Sequence, residues 1–106
     1  MAKLKNPHPG EILKLEFIDE LDISQNRLAD YIQVPRNRIH HIVKGERSIT
    51  ADTDLRLCAF FGLSDGYFLR LQNLYDMMEA RNLIAKQLAT ITPYFEDKNF
   101  SSGASA

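Results

Sequence analysis

The chain has 106 residues, of which 44% are hydrophobic and 25% charged, and its formal net charge is −1. This length suits one globular domain, and the composition excludes an intrinsically disordered chain. A net charge so close to zero argues against an indiscriminate binder of polyanions, and because no apolar run approaches the roughly 20 residues of a membrane span, we predict no contact with a membrane.

The first predicted helix begins at Pro9, after a short start (MAKLKNPH) that lacks the hydrophobic stretch of a signal peptide. The prolines make this start extended in our interpretation. Within the helix, Leu13, Phe17 and Leu21 recur at helical spacing, and Ile18 lies beside them. We therefore expect these four side chains to form the core face of the first helix.

Residues 24–45 (SQNRLADYIQVPRNRIHHIVKG) predict two short helices joined by a tight corner. Ser24 is a good N-cap for the first of them. The second helix can open at Pro35, and Gly45 is expected to end it in a left-handed conformation. Gln33 stands at the corner, where the backbone commonly has a positive φ; a residue other than glycine costs on the order of 1 kcal/mol there.

The second of these helices carries its polar residues on one side. In a projection at 100° per residue, the side chains that point away from the apolar ones are Asn37, His41 and Lys44. Those on the flanks are Arg36, Arg38 and His40. The small Ala29 lets the two helices cross closely. Because the second helix of a helix-turn-helix lies in the major groove of DNA, we predict DNA binding. The alternative is an ordinary helical hairpin inside a bundle.

The candidate DNA-contacting residues share side chains that can donate hydrogen bonds to phosphates or base edges. They are Gln25, Asn26, Arg36, Asn37, Arg38, His40, His41, Lys44 and Arg47. Gln25 and Asn26 begin the first helix of the pair, where they can reach a phosphate, although plain capping is an equal alternative for Asn26. For Arg47, a phosphate contact and an ion pair with an acid such as Glu16 are both open.

Side-chain chemistry assigns different roles to residues on the outward face. Asn37 and His41 are the predicted base readers. The amide of Asn37 can pair with adenine at two points. Arg36 and Arg38 suit either guanine or phosphate, and Lys44 is the predicted phosphate contact. The cations gather here while acids dominate the first helix, so the charge distribution indicates an oriented docking on DNA.

Catalysis and metal binding find little support in the sequence. His40 and His41 are adjacent, so on a helix they diverge by 100° and cannot easily share a metal; we predict no metal, no cofactor and no enzymatic activity. The two histidines could instead make DNA binding sensitive to pH, which an unchanged affinity between about pH 5.5 and 8 would exclude. Cys58 cannot form an internal disulfide, and its predicted apolar packing fits a reducing cytoplasm.

The next helix is predicted to begin after Thr50 as N-cap and to end at Gly62. Its expected buried side consists of Leu55, Cys58, Ala59 and Phe61.

The last predicted helix is capped by Ser64 and runs without proline to about Thr90. About 25 residues at 1.5 Å each extend about 38 Å, which is more than four short helices can cover. Its distal apolar positions must therefore meet another surface, most simply the same helix of a second subunit. The predicted dimer interface comprises Leu71, Leu74, Tyr75 and Met78. We expect residues 93–106 to form a flexible polar tail.

Several segments carry a family pattern. The most specific are PHPGEIL at residues 7–13 and ITADTDLRL at residues 49–57; Ser24-Gln25 with Leu28-Ala29 adds to them. With these marks, residues 6–80 resemble the HigA/VapI antitoxins, a branch of the Xre (lambda-repressor-like) helix-turn-helix family. The chain departs from the family at Gln33, where glycine is usual, and at Phe68, where tryptophan is common.

The resemblance implies an all-α, five-helix, lambda-repressor-like domain in residues 1–92, with an extended C-terminal helix. It implies a homodimer that binds a palindromic operator in double-stranded DNA and represses its own operon. It further implies a HigB-like toxin partner, which cleaves messenger RNA and which the antitoxin neutralises by binding. Two alternatives stay open: a stand-alone or phage-type regulator without a toxin, and an interaction module that kept the fold but lost DNA binding.

Overall fold

The computed structural model describes residues 6–95, which form six α-helices and contain no strand. In chain order they are α1 (Pro9–Leu13), extended by a π-helical segment (Lys14–Ile18), then α2 (Gln25–Ile32), α3 (Arg36–Val43), α4 (Ala51–Phe61), α5 (Tyr67–Leu83) and α6 (Ala85–Thr90). The all-α prediction is confirmed. Residues 1–5 and 96–106 lie outside the described part, and with them most of the tail predicted for residues 93–106.

The hydrophobic core lies where α1 to α4 meet the first turns of α5. Each of these helices contributes at least one fully buried large side chain: Leu13, Leu28, Ile39, Leu57 and Phe68. Burying a side chain of this size stabilises the fold by roughly 1.5–3 kcal/mol. The core therefore buries the inward side of α3 and leaves Asn37, His41 and Lys44 on its other side exposed.

The π-helical segment changes which residues of the first helical stretch are buried. Its backbone bonds span five residues, as in the 2.8 Å bond from the N–H of Asp19 to the carbonyl of Lys14. Leu13 and Ile18, five residues apart, are both buried, whereas Leu21 is 54% exposed. The prediction of Leu21 as a core residue was wrong, because the wider turn rotates the following residues and the helix ends at Ile18.

His8 caps the start of α1 and ties it to α5. Its Nδ1 accepts a hydrogen bond from the backbone N–H of Gly10 at 2.9 Å, and its ring meets Tyr75 edge-on, with 4.9 Å between centroids. Burial lowers the pKa of His8, which favours the neutral ring that can accept this bond. The Asn6 side chain donates to the Tyr75 carbonyl at 3.1 Å, so the segment before α1 is also held on α5.

The buried side of α4 differs from the predicted one. Leu55 is 50% exposed and Ala59 is exposed as well, whereas Cys58 is buried as expected and Phe61 is partly buried. The buried residues of the helix are Thr53, Asp54, Leu57 and Cys58. Because Asp54 is buried, the side of α4 that faces the core differs from the side that the apolar spacing predicted. Gly62 ends the helix with φ 72°, as predicted.

Asp54 is buried because it caps the next helix. Its carboxylate accepts backbone N–H bonds from Gly66 at 2.7 Å, Phe68 at 2.8 Å and Leu69 at 2.9 Å. These groups belong to the orphan donors at the start of α5. The prediction of Ser64 as the N-cap was therefore wrong: Gly66 holds that position with φ 93°, and the capping oxygens come from α4.

The predicted single long helix is broken at Ile84, where φ is −113° and ψ is 23°. No proline or glycine lies near this break, so the local sequence does not signal it. All residues from 76 to 95 are exposed. Across residues 6–95, none of the helices is long and apolar enough to cross a membrane.

Candidate nucleic-acid interface

Helices α2 and α3 meet at the predicted corner. The Ser24 hydroxyl accepts the backbone N–H of Arg27 at 3.0 Å, which confirms the N-cap. Ala29 is fully buried beneath the crossing. Gly45 has φ 80°, as predicted, but α3 begins one residue later than expected: Pro35 is its N-cap, with an extended ψ of 141°.

The corner residue Gln33 adopts the predicted left-handed conformation, with φ 64° and ψ 48°. Its N–H bonds to the Ala29 and Asp30 carbonyls, which closes the end of α2. Arg56, from α4, then donates to the carbonyls of Ile32 at 2.9 Å and Gln33 at 3.2 Å. These bonds satisfy carbonyls that the helix end leaves without partners, which offsets the cost of a positive φ in a residue other than glycine.

The outward side of α3 is free, as its spacing predicted. Asn37, His41 and Lys44 are exposed, and none of them has a side-chain hydrogen bond or ion pair with another residue in the range 6–95. Ile39 and Ile42 fill the opposite side of the helix and are fully buried. A rigid helix thus presents an amide, an imidazole and an ammonium group to solvent.

Arg47, in the loop after α3, also has an exposed side chain. Glu16 is exposed as well, and within the described part of the chain Arg47 pairs with no acid. The ion pair that the sequence left open as an alternative is therefore absent from residues 6–95, and the phosphate contact stays a prediction.

Arg36 lies at the start of α3 and is held by an acid from α2. Its Nε and Nη2 donate to the two carboxylate oxygens of Asp30 at 3.1 and 2.7 Å. These bonds hold the pKa of Asp30 below its usual range and raise that of Arg36. Because the Arg36 side chain is still 57% exposed, the pair orients the guanidinium without removing it from solvent.

Arg38 points away from the exposed set. Its Nη1 donates to Asp52 of α4 at 2.8 Å, and its side chain is only 22% exposed. Asp52 also accepts from Arg56 at 3.0 Å, and the two guanidinium groups hold the pKa of Asp52 below its usual range. Arg38 thus links α3 to α4 instead of joining the outward donors.

His40 brings the two helices of the motif together. Its Nδ1 lies 2.6 Å from Oε1 of Gln25 and its Nε2 lies 2.8 Å from Oδ1 of Asn26. The predicted phosphate-contacting residues at the start of α2 are therefore bound to the middle of α3. Gln25 is partly buried and Asn26 is exposed.

Sequence reasoning missed the two acids that orient the cations of this surface, Asp30 and Asp52. The pair of Asp52 with Arg56 has the i, i+4 spacing that a helical pattern can reveal. The pairs Asp30–Arg36 and Asp52–Arg38 cross from one helix to another, so no periodicity within a helix could indicate them. In the described ranges, no three His, Cys, Asp or Glu side chains cluster as a metal site would require.

The four residues predicted for a dimer interface divide into two pairs. Leu71 packs against the chain's own core and Tyr75 contacts His8. Leu74 and Met78 point to solvent with exposures of 68% and 49%. Further exposed apolar side chains continue along α5 and α6 and at the residue that follows each of these helices: Met77, Leu83, Ile84, Leu88 and Ile91.

Comparison with known proteins places this geometry in a family. The family model described as helix-turn-helix matches residues 13–68. Virulence-associated protein I of Dichelobacter nodosus is 42% identical over 73 residues, which are 69% of this chain and 68% of that protein.

Two solved structures from Pseudomonas aeruginosa share the fold. The antitoxin HigA with the higBA promoter is 36% identical, with a TM-score of 0.81, and the match covers 85% of this chain and 99% of HigA. A protein in complex with its 18-bp operator DNA is 35% identical, with a TM-score of 0.82, over 88% of this chain and 99% of that one. This chain belongs to the helix-turn-helix family of DNA-binding regulators, in the branch of the HigA antitoxins and VapI-like regulators.

Proposed function

We propose that this chain is a homodimeric repressor that binds a palindromic operator in its own operon. We further propose that it is the antitoxin of a HigB-like toxin that cleaves messenger RNA. The observation that carries the DNA-binding part is the set of free donors on α3, on a helix whose inner side is locked in the core. Similar proteins solved with promoter or operator DNA support it.

The exposed side chains of α3 suggest a division of roles. Asn37 can pair with adenine at two points and His41 can donate to a base acceptor, so we assign both to base reading. Lys44, one turn nearer the end of the helix, suits a phosphate as a mobile point charge. Arg36, oriented by Asp30, stays available to guanine or phosphate; Arg38 we assign to holding α3 against α4.

Replacing Asn37 or Lys44 by alanine should separate these roles. The Asn37→Ala variant is expected to lose roughly 1–3 kcal/mol on the cognate operator and to tolerate a change at one base pair, because a base contact is removed. The Lys44→Ala variant should weaken binding to all DNA about equally and reduce the salt slope by about one. Footprinting on the upstream DNA, followed by titration at several salt concentrations, measures both effects. Equal losses on cognate and random DNA for Asn37→Ala would contradict its role as a base reader.

The proposed dimer rests on the apolar surface of α5 and α6. All residues from 76 to 95 are exposed, so nothing in the described chain covers this surface. Its apolar side chains include Leu74, Met77 and Leu83, which are each at least 60% exposed. Clustered exposed apolar side chains often mark a surface that binds another protein. A second copy would cover it and, by two-fold symmetry, would present a second α3 to the other half of a palindromic site.

A charge placed on this surface should dissociate the dimer. In sedimentation at micromolar concentration, the wild-type chain is expected as a dimer and the Leu74→Glu variant as a monomer, because association would bury an unpaired carboxylate. The monomer should also bind the operator at least tenfold more weakly, since one half-site contact is lost. Leu55→Glu is the matched control: this leucine is 50% exposed on α4, and its replacement should leave the dimer intact. A monomeric wild-type chain would contradict the proposal.

The antitoxin role has a separate test. The gene next to that of this chain is expressed alone and together with it. Growth arrest and messenger RNA cleavage that appear only in the absence of this chain would support the antitoxin function. An operator-binding protein whose neighbour is harmless would instead be a stand-alone regulator.

A further inference from the structure

His40 lies at the centre of a bridge between α3 and the start of α2. Its Nδ1 is 2.6 Å from the side-chain oxygen of Gln25, and its Nε2 is 2.8 Å from the side-chain oxygen of Asn26. An amide oxygen only accepts hydrogen bonds. In this arrangement both ring nitrogens must therefore donate.

A neutral imidazole carries one N–H, so it can donate to only one of the two amides; the imidazolium ion donates to both. When His40 is neutral, one amide must turn so that its NH₂ group donates to the bare ring nitrogen. The protonation state of His40 thus determines how Gln25 and Asn26 are oriented.

The charged groups around the ring leave the imidazolium without an internal counter-ion. Its partners on α2 are uncharged amides, and the charged side chains one turn away on α3 are the cations Arg36 and Lys44. The acid of α2 nearest the corner, Asp30, is bonded to Arg36. On α1, which also packs on α3, Glu11 lines a cleft with Lys44 and not with His40.

The acid that α4 directs to α3 is also engaged elsewhere. Asp52 is paired with Arg38 and Arg56. The positive end of α2 lies beside His40 too, and it disfavours a further positive charge. In the free protein, nothing among residues 6–95 therefore neutralises a protonated His40, whereas a DNA phosphate would do so.

Amide orientation decides whether a phosphate is attracted. With both oxygens bonded to His40, both NH₂ groups are left to donate, and a phosphate oxygen only accepts. A turned amide would present its oxygen to the phosphate and repel it. The two orientations therefore differ in affinity for a DNA backbone.

We propose that His40 is a positioning residue that couples DNA binding to the uptake of a proton, by turning the amides of Gln25 and Asn26 to donate to a phosphate. The inference rests on the proposed DNA binding. Because the protonated form binds DNA better, linkage requires that the affinity rise as pH falls and that binding take up protons.

The test is calorimetric titration with the DNA duplex that this chain protects in its own upstream region. Titrations at about pH 7 in two buffers of different ionisation enthalpy give the number of protons taken up, and titrations from about pH 8 to 6 give the slope of affinity with pH. The wild-type chain should take up as much as one proton per chain, and its affinity should rise by as much as about tenfold per pH unit. The His40→Gln variant should take up none and should match the wild type at about pH 8.

His41→Gln is the matched control, because His41 is the exposed neighbour of His40 and has no side-chain bond with a described residue. It should bind more weakly but keep the proton uptake. Circular dichroism at each pH verifies that all three proteins are folded. The same uptake in His40→Gln as in the wild type, or its loss in His41→Gln alone, would overturn the coupling and leave DNA binding intact. A folded wild-type chain that protects no upstream DNA at any pH would overturn both proposals.

Discussion

Replacing Gly10 by alanine is expected to destabilise the protein far more than the same replacement at Gly62. Gly10 lies in α1 where this helix meets the end of α3. A Cβ at this position would overlap the carbonyl oxygen of Ile42 and would lie 2.6 Å from its carbonyl carbon and 3.0 Å from Cα of Val43. All of these are backbone atoms that cannot turn aside. The two helices would have to separate, at a cost of about 3 kcal/mol or more.

Chemical denaturation followed by circular dichroism measures this loss. Operator affinity, measured well below the unfolding midpoint, should also fall, because α3 is pushed from its place in the core. Gly62→Ala is the matched control: this glycine has φ 72° and no atom within 4 Å of an added Cβ, so only the backbone strain of about 1 kcal/mol applies. Equal unfolding midpoints for Gly10→Ala and the wild type would refute the steric argument.

The Asp54→Ala variant should lose a comparable amount of stability for an electrostatic reason. Asp54 is 1% exposed and accepts three backbone N–H bonds at the start of α5. Without the carboxylate, these donors lose their partner, and the bond to the N–H of Phe68 lies in a buried site. Leaving buried donors unsatisfied is expected to cost about 3–5 kcal/mol.

The effect of Asp54→Ala should be local to the junction of α4 and α5. In this variant, the increase in hydrogen-exchange rate over the wild type is expected to be largest in the first turn of α5. That turn includes Phe68, which anchors the helix in the core. Asp65→Ala removes an exposed acid from the same junction and should change the free energy of unfolding by less than about 0.5 kcal/mol. If the two variants were equally stable, the capping role of Asp54 would be wrong.

Features that depend on a few neighbouring residues were predictable from the sequence. The Ser24 cap, the left-handed Gln33 and Gly45, and the outward side of α3 all follow from contacts within one or two helical turns. The resemblance to HigA and VapI proteins also rests on short segments, and the comparisons confirm it.

Predictions failed where a distant partner reversed a local preference. By their side chains alone, Leu55 and Ala59 would be expected in the core and Asp54 in solvent. Asp54 is buried instead, because its carboxylate accepts hydrogen bonds from backbone N–H groups twelve to fifteen residues further along the chain. Leu21 was placed in the core by a spacing that the π-helical segment then changed. The bond of Arg38, which the projection placed on a flank of α3, to Asp52 of another helix was likewise not visible in the spacing.

By itself, the amino-acid sequence determined the helical class, the motif and the side of α3 that faces solvent, since spacing and caps act over single turns. Only the tertiary structure decided which polar side chains of α3 remain free. Arg36 is bonded to Asp30, Arg38 to Asp52, and His40 to Gln25 and Asn26. Asn37, His41 and Lys44 have no such partner among residues 6–95. These bonds join different helices, so they form only when packing brings those helices within hydrogen-bond distance.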